Sequence, residues 1–391
     1  MRSITVGSIF DIPIRINASL LLFLPILVWL IAGQIELYGD VVNAVSPTSI
    51  EVEPLTEGSN PWIIGVAGAL GLFVGVLLHE LGHSVTAMRY GIPIASITLW
   101  IFGGLARMED LPEDWSIEFW VALAGPATSL GIAVVCYLAL FAIPSSAPAM
   151  LIFVVAWLAV INLTLAIFNM LPAFPMDGGR IFRALLASRR PYVEATSIAA
   201  KTGRFFGAAM VVLGILNLAP LLALVGFFVY VAAGAESRVV ALRDLLRDVS
   251  AGDLLRADST AVDDDLTVQR LLELMLEDRR SGYPVVDADG RVVGIVSLGA
   301  IRTVPAADRS TTVVADVMSP DPPTATPETP AFEVLELLAT SEGDRVVVLE
   351  EGCLLGTLDN ESIAEYIDLV QGIGPVADDA ATEVRPPDGY V

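Results

Sequence analysis

The chain has 391 residues, 54% of them apolar, and its mean hydropathy of +0.68 is typical of a membrane protein. The formal net charge of −23 argues against nucleic-acid binding, because phosphate backbones attract cationic surfaces. Residues 1–234 carry a net charge of −4 and residues 235–391 a net charge of −19. We therefore expect a membrane domain at 1–240 and a soluble acidic domain after it. Lys201 is the only lysine, which fits either a halophilic source or a genome rich in arginine codons.

Six apolar segments are long enough to cross a bilayer, which takes about 17–25 residues. They lie at about 17–33, 62–87, 119–143, 150–171, 196–217 and 220–239. Arginines follow the second, fourth and sixth segments, whereas the loop 34–60 has no lysine or arginine. Basic loops stay in the cytoplasm. The fold class predicted is a multi-pass α-helical protein of the plasma membrane, with about six transmembrane helices and both termini cytoplasmic.

Two stretches outside these segments have the alternation of extended chain. Residues 3–16 alternate loosely, with Gly7 and Pro13 as the predicted turn points. Residues 95–108, directly after the second apolar segment, predict a strand, a break at Gly103–Gly104 and a second short strand. Residues 95–108 are therefore expected to form a hairpin close to the side chains at the end of the second apolar segment.

The acidic part contains a two-fold internal repeat. Each copy has an amphipathic helix, an apolar strand, a glycine turn, a second strand and a further helix. The first helices are predicted at 267–278 and 330–342, and the proline-rich stretch 319–330 links the copies. We expect one α/β module at 245–371, with copies at 250–306 and 313–369, followed by a flexible acidic tail at 372–391.

The only two histidines, His79 and His83, lie four residues apart in the second apolar segment. On a helix this spacing puts both imidazoles on one face, where they can bind one Zn²⁺. Glu80 would then lie beside the metal as a candidate general base. By the orientation argument the motif lies in the cytoplasmic half of its segment. A structural buried acid is the alternative for Glu80. A fortuitous helix match is the alternative for the motif, and its depth together with Asp177 argues against that.

A catalytic zinc needs a third protein ligand and an open position for water. Asp177 is the strongest candidate, because two prolines and two glycines interrupt the end of the fourth segment there. It is expected at the same cytoplasmic depth as His83. The alternative is a helix-stop carboxylate paired with Arg180 or Arg183.

Asn162 and Asn169 are seven residues apart and share one face of the fourth segment. Either amide could donate a hydrogen bond to an oxyanion or to a substrate backbone. Hydrogen bonding between helices is the alternative, and it applies above all to Asn162. Gly125–Pro126 in the third segment predicts a helix entry or a close-packing point, with no chemical role.

Together these motifs resemble the site-2 protease family of intramembrane zinc metalloproteases, over roughly residues 1–240. The residues that carry the resemblance are His79–Glu80–Leu81–Gly82–His83, Gly103–Gly104, Ala124–Gly125–Pro126, and Asn169 through Asp177–Gly178–Gly179–Arg180. The resemblance implies one zinc ion per chain on His79, His83 and Asp177, with Glu80 as the base and Asn169 in the active site. The extended segment Ala95–Met108, with Gly103 and Gly104, is expected to receive the substrate by strand addition. Family members often have an asparagine shortly after the Gly–Pro pair, and this chain has Thr128 and Ser129 there.

The repeat resembles a tandem pair of CBS domains, which often bind adenine nucleotides. Many of these domains have an aspartate three residues after a serine or threonine, where it contacts ribose. Ala300 follows Ser297 in the first copy, and Ser362 follows Asp359 in the second. An adenine nucleotide therefore stays open as a partner, and a homodimer through the CBS modules is a second possible assembly.

The function predicted is hydrolysis of peptide bonds in single-pass membrane proteins, near the cytoplasmic side of the bilayer, with the CBS pair as a regulatory module. A membrane-spanning substrate must first unwind, because helical amides are hydrogen-bonded and shielded. A CBS-regulated transporter and an inactive zinc-binding scaffold are the alternatives. The convergence of polar residues on one locus disfavours the transporter, and the intact Glu80 disfavours the scaffold.

Overall fold

The structure, a computed structural model, describes residues 3–101, 103–108, 114–144, 146–255, 260–341 and 345–373. The chain divides into two units, Met1–Val240 and Ala241–Val391, and each is described by itself. The flexible tail predicted at 372–391 lies outside the described residues from position 374 onwards. The structure therefore does not bear on that prediction.

The first apolar segment, predicted at 17–33, forms one helix, and a second helix follows within the stretch 34–60 that the sequence predicts as a loop. Helix α1 (Ala18–Ala32) has 15 residues and so is about 22 Å long. Helix α2 (Ile35–Val45) follows at an angle of 67°. α2 is amphipathic, and its buried Ile35 and Val42 pack with Ile152 and Phe153 of a later helix. This burial holds the bend, and the pair counts as a sixth span only if it is taken as one broken span.

Five further helices are long and apolar enough to cross a membrane. In chain order the remaining helices of this unit are α3 (Asn60–Arg89), α4 (Trp115–Ala142), α5 (Ala149–Asn169), α6 (Asp177–Ala187), α7 (Tyr192–Leu216) and α8 (Pro220–Leu245). A single 3-10 turn, Glu53–Thr56, precedes α3. Only α6 is too short to span, and it is strongly amphipathic. The multi-pass α-helical class is confirmed.

Helix α3 is packed closely between α4 and α5. A Cβ at Gly75 would come within 2.8 Å of Asn162 Oδ1 on α5, and a Cβ at Gly82 would overlap Thr128 on α4. Small residues of this kind let helix backbones approach in a membrane, where packing rather than water drives association. His79 lies between these two glycines, so it is enclosed from both sides.

The two predicted hairpins join into one sheet. Its strands are β1 (Ser3–Ile9), β2 (Ile12–Asn17), β3 (Ile94–Trp100) and β4 (Gly103–Met108), in that order. β2 and β3 are parallel, with Ile14 opposite Ile97, and the other two pairs are antiparallel. This leaves β1 and β4 as the edges of the sheet.

The turns of both hairpins lie at other positions than predicted. The first turn is at Phe10 and Asp11, which both have positive φ, rather than at Gly7 or Pro13. Gly7 instead follows a bulge in β1. The second chain reversal comes after Trp100, and Gly103, with φ of 129°, is already the first residue of β4. The prediction of a break at Gly103–Gly104 is wrong because the glycine serves the strand's conformation and not the turn.

The second unit has the repeated α/β pattern. Its strands are β5 (Val262–Asp263), β6 (Gly282–Val286), β7 (Val292–Ser297), β8 (Ser319–Pro320), β9 (Thr324–Ala325), β10 (Arg345–Glu350) and β11 (Cys353–Asp359). Its helices are α9 (Ala251–Leu254), α10 (Val268–Asp278), α11 (Leu298–Arg302), α12 (Ala331–Thr340) and α13 (Asn360–Ile373), with a 3-10 turn at Val314–Asp316. The sheets are β5-β6-β7-β8 and β11-β10-β9. Each copy therefore has its own sheet.

The two copies are interlocked by the segments that flank them. The proline-rich link gives β8 to the first sheet and β9 to the second. Leu246 and Val249, which precede the first copy, are buried with Val334 and Val346 of the second copy. A cut between the copies would expose apolar surface on both, so they are expected to fold as one module.

Candidate metal centre

Three side chains meet beside α3. His79 and His83 are four residues apart on α3, and their Nε2 atoms are 3.2 Å from each other. Asp177, the first residue of α6, places Oδ2 3.1 Å from His79 Nε2 and Oδ1 3.3 Å from His83 Nε2. Among the described residues, this is the one group of three potential ligands found close together.

The spacing of these atoms suits zinc. Bonds of 2.0–2.1 Å in tetrahedral geometry place neighbouring ligand atoms about 3.3–3.4 Å apart. The three observed separations are close to this value. Two imidazole nitrogens and one carboxylate oxygen are also the donor types that catalytic zinc sites use, and they leave a fourth position open. The site therefore fits a catalytic zinc ion by geometry and by ligand type.

The other nitrogen of each imidazole is hydrogen-bonded to α4. His83 Nδ1 lies 2.7 Å from the carbonyl oxygen of Val121, which only accepts, so Nδ1 donates and Nε2 keeps its lone pair. His79 Nδ1 lies 2.9 Å from Ser129 Oγ, which fixes the second ring. Partners of this kind orient metal ligands. α4 thus presents both Nε2 atoms towards Asp177.

Asp177 is positioned by a chain segment that is itself buried. Between α5 and α6 the chain passes through Ala173 and Phe174, which are almost fully buried, and a cis Phe174–Pro175 peptide bond. A Cβ at Gly178 or Gly179 would overlap backbone atoms of this segment, so the glycine pair lets α6 start against it. The sequence predicts an unwound helix end here. The structure has this non-helical stretch at 170–176, and Asp177 then begins a new helix.

Helix α6 is anchored by a buried arginine. Arg183 Nε donates to Glu118 Oε1 of α4 at 2.8 Å, and Nη1 donates to Glu236 Oε1 of α8 at 2.8 Å. Its guanidinium also stacks on the rings of Phe174 and Tyr192, each 4.9 Å away. Arg183 therefore ties the helix that carries Asp177 to two neighbouring helices.

Replacing this arginine should loosen the centre. Arg183→Met leaves the buried Glu118 without its cation, and breaking a buried pair costs about 3–5 kcal/mol in the free energy of unfolding. We expect lower thermal stability and weaker zinc binding, measured on purified protein in detergent. Arg190→Met is the matched control, because Arg190 pairs with Glu194 on an exposed surface where about 0–1 kcal/mol is usual. Equal losses in the two variants would contradict the anchoring role.

Two glycines make room for the polar side chains. A Cβ at Gly125 of α4 would lie 2.7 Å from His79 Nε2 and would overlap His83. A Cβ at Gly104 of β4 would overlap Glu80 Cγ and approach its Oε1 to 2.8 Å. The Gly125–Pro126 pair is therefore a close-packing point, as predicted, and the packing partners are the two histidines. Glu80 lies against β4.

A cavity of about 450 Å³ opens onto the three side chains. Besides the histidines and Asp177, its lining includes Glu80, Asn169, Arg180 and β4 residues from Gly103 onwards, and Phe228 of α8. Asn162 does not line it. That residue is 1% exposed, and its Nδ2 donates to Leu158 O within α5. Of the two asparagines, only Asn169, which the sequence favours for the active site, lines the cavity.

Three residues near the centre were not found from the sequence. Ser129 appears there only as a departure from the family pattern, although its hydroxyl contacts His79. The sequence suggests Arg180 and Arg183 as ion-pair partners for Asp177, whereas in the structure Arg180 lines the cavity and Arg183 binds Glu118. The sequence gives only a weak indication of the Ser129 contact, because a serine in an apolar helix often has a purely structural role.

The comparisons with known proteins agree with these observations. The model for "Peptidase family M50" matches residues 67–146 and 142–210, and the CBS domain model matches residues 251–306 and 314–369. Rip3 of Mycobacterium tuberculosis is 32% identical over 384 residues, which cover 94% of this chain and 93% of Rip3. The chain belongs to peptidase family M50.

Two further relatives come from Methanocaldococcus jannaschii. The zinc metalloprotease MJ0392 is 35% identical over 302 residues, covering 77% of this chain and 84% of MJ0392. The solved structure of a site-2 protease from the same organism has 33% identity and a TM-score of 0.42, and covers 60% of this chain and 95% of its own. From the two family models and the curated relatives, this M50 peptidase is a zinc-dependent membrane metalloprotease of the site-2 type with tandem CBS domains. The sequence predictions of family, fold class, enzyme class and metal are confirmed.

Proposed function

We propose that this M50 peptidase cleaves single-pass membrane proteins within the bilayer, near its cytoplasmic side. The observation that carries the proposal is the triangle of His79, His83 and Asp177 ligand atoms, with separations of 3.1–3.3 Å. It lies on helices long and apolar enough to span a membrane, or beside them. This location supports the proposal that the substrate is a membrane-spanning protein.

We assign the metal ligands and the base from this geometry. His79, His83 and Asp177 hold one zinc ion per chain, which when bound lowers the pKa of a water molecule and polarises a carbonyl. Glu80 faces the same cavity and accepts the proton of the attacking water. It then returns this proton to the amide nitrogen that leaves, so that one peptide bond and one water give a carboxylate and an amine. Asn169, the last residue of α5, donates a hydrogen bond to the substrate carbonyl oxygen as negative charge develops on it.

The substrate is proposed to bind along β4. This strand is an edge of the sheet, and its residues from Gly103 onwards line the cavity that holds Glu80. An unwound substrate segment can add to such an edge through backbone hydrogen bonds, which also hold it extended for hydrolysis. Substrate peptides N-methylated at alternate backbone positions test this mode. One register of methylation should block cleavage, and equal cleavage in both registers would contradict strand addition.

The physiological substrate can be sought in the membrane proteome. A strain lacking the gene and a strain carrying Glu80→Gln should both accumulate the same single-span protein relative to the parent. Accumulation only in the deletion strain would mean that the protein acts on it without proteolysis, which is the result expected of a scaffold or a transporter. The comparison therefore separates the proposed activity from the alternatives that the sequence left open.

Both termini are proposed to lie in the cytoplasm of a plasma-membrane protein. The argument rests on the arginines that follow every second apolar segment and on their absence from residues 34–60. Reporter fusions after Arg107, Arg190 and Asp248 are expected to read cytoplasmic, and a fusion within 34–60 external. An external reading after Asp248 would reverse the orientation and with it the proposed side of cleavage.

The CBS pair is proposed as a regulatory module that binds adenine nucleotides weakly. In the second copy, Asp359 Oδ1 accepts hydrogen bonds from Ser362 N and Oγ, and Oδ2 pairs with Arg345 at 3.1 Å. In the first copy, Ser297 caps α11 and position 300 is alanine. The polar groups at the predicted ribose positions are thus engaged within the protein or missing. A dimer of CBS modules stays part of the proposal.

Nucleotide binding to the full-length protein tests this view. Titration with ATP and AMP at high salt should give no saturation at micromolar concentrations, because the predicted ribose positions are Ser297 and Ala300 in the first copy and Asp359 and Ser362 in the second, and neither pair ends in aspartate. Ala300→Asp restores that spacing after Ser297, and it should strengthen binding while leaving zinc content unchanged. Micromolar affinity in the parent would show that other residues contact the ribose. Truncation after Asp248 should retain zinc and alter the cleavage rate.

A further inference from the structure

Two cations lie on the exposed surface of α7. Lys201 and Arg204 are three residues apart, so they share one side of the helix, and both are exposed. The helix is long and apolar enough to cross a membrane. Across α3, α4 and α5 the only lysine or arginine is Arg89, at the last residue of α3. A cation within a span is costly unless it has a partner, so the pair calls for one.

Arg204 is held in place by α8. Its Nη2 donates to Tyr230 Oη at 2.6 Å, and the guanidinium carbon lies 4.7 Å from the centre of the Tyr230 ring. Tyr230 engages one of the five N–H donors of the guanidinium. Within the described ranges, no carboxylate pairs with Arg204 or Lys201. An anion from outside the chain can therefore take the remaining donors.

The packing of α7 against α8 gives the depth of the pair. A Cβ at Gly203 would meet Ala233 Cβ at 3.0 Å, so these two residues are level in the antiparallel helices. Lys201 lies two residues before Gly203 on α7. Because the helices are antiparallel, it is level with the residues about two positions after Ala233 on α8, close to Glu236. Glu236 binds Arg183 of the short amphipathic helix α6.

That level corresponds to one membrane surface. The link from α6 to α7 contains the exposed Arg189 and Arg190, in a loop that the charge pattern assigns to the cytoplasm. Side chains on a helix lean towards its N-terminus. The N-terminus of α7 is at this surface, so both Lys201 and Arg204 lean towards the lipid headgroups of that leaflet.

We propose that Lys201, Arg204 and Tyr230 bind the phosphate of an anionic phospholipid in this leaflet. A phosphodiester is the anion that a bilayer offers at this level, and two cations can hold it through charge-assisted hydrogen bonds. The tyrosine suits the boundary between headgroups and acyl chains. Basic pockets between helices on the cytoplasmic side are a common form of headgroup site. The choice of leaflet rests on the proposed topology, whereas the binding itself does not.

Lipid binding to the full-length protein tests the proposal. Native mass spectrometry in detergent, with phosphatidylglycerol or phosphatidylcholine added, should show tighter binding of the anionic lipid. Lys201→Gln and Arg204→Gln should each weaken it about fivefold, and the double variant about 30-fold. Arg238→Gln removes an exposed arginine from α8 and should leave binding unchanged. Millimolar inorganic phosphate should not displace the lipid. Equal binding of the two lipids, or an equal loss in Arg238→Gln, would overturn the site.

The single lysine offers a second readout. Because Lys201 is the only lysine, an amine-reactive reagent labels it and the N-terminal amine alone. In nanodiscs, phosphatidylglycerol should slow labelling of Lys201 relative to phosphatidylcholine, with the N-terminal amine as the internal reference. Arg204→Gln keeps the lysine and should abolish most of this protection. Equal labelling rates in the two lipids would overturn the proposal independently of the folding of any variant.

Discussion

Glu80→Gln is expected to keep its zinc and to lose cleavage. Glu80 faces the cavity without being part of the His79–His83–Asp177 triangle, so the amide removes the proton acceptor and leaves the ligands. General base catalysis contributes about 10²–10⁴-fold, and we expect kcat to fall within that range or below detection. The measurements are metal content of the purified protein and cleavage of a membrane-spanning substrate in reconstituted vesicles.

The shape of the glutamine makes this variant a clean test. The side chain retains the volume that fills the space beside Gly104, so the sheet edge should stay where it is. Glu194→Gln is a suitable control, because that carboxylate lies on an exposed surface and pairs with Arg190. Zinc lost together with activity would make Glu80 a ligand or a structural acid. Activity retained would move the base to another residue.

Unlike Glu80→Gln, a variant that removes a metal ligand is expected to lose the zinc ion itself. His79→Ala should nearly abolish zinc binding, and Asp177→Ala should weaken it markedly, since each removes one of three ligand atoms. Ser129→Ala provides the scale, because losing the hydrogen-bond partner of a ligand typically costs about 10–100-fold in metal affinity. Affinities measured by competition with a chelator should place Ser129→Ala between the parent and Asp177→Ala.

A second serine distinguishes the loss of a hydrogen bond to a metal ligand from the loss of a buried hydroxyl. Ser84 is a buried α3 residue whose hydroxyl has no hydrogen-bond partner within the described residues. Ser84→Ala should therefore bind zinc as the parent does. If Asp177→Ala kept parental affinity, the carboxylate would be a helix-start residue, and a different third ligand would have to be found.

The residues of the centre were predictable to the extent that their relation is local. His79 and His83 share a face of one helix because of helix periodicity alone. Asp177, almost a hundred residues later, needed the additional argument that both segments end at the same membrane surface. Ser129 follows from neither rule, because its contact with His79 depends on how α4 is rotated against α3.

The errors in the N-terminal part have a common physical origin. Glycine and proline mark most turns, which is why the sequence predicts turns at Gly7 and Pro13. The actual turn residues, Phe10 and Asp11, adopt left-handed φ without being glycine, which the sequence does not signal.

Arg183 and Glu118 look in the sequence like ordinary charges at helix ends. Only the packing of α6 on α4 makes them a buried pair.

The parallel pairing of β2 with β3 has a consequence for synthesis of the chain. Ile14 cannot meet Ile97 until 83 further residues, including α1, α2 and α3, have left the ribosome. At about 5–20 residues per second this wait lasts about 4–17 seconds. During that time one side of β2 lacks its neighbour, and an open strand edge can recruit other chains. The pairing of β2 with β3, and of β3 with the proposed substrate strand β4, thus forms only after α1, α2 and α3 have been synthesised, so a nascent chain carries its histidine helix before this sheet is complete.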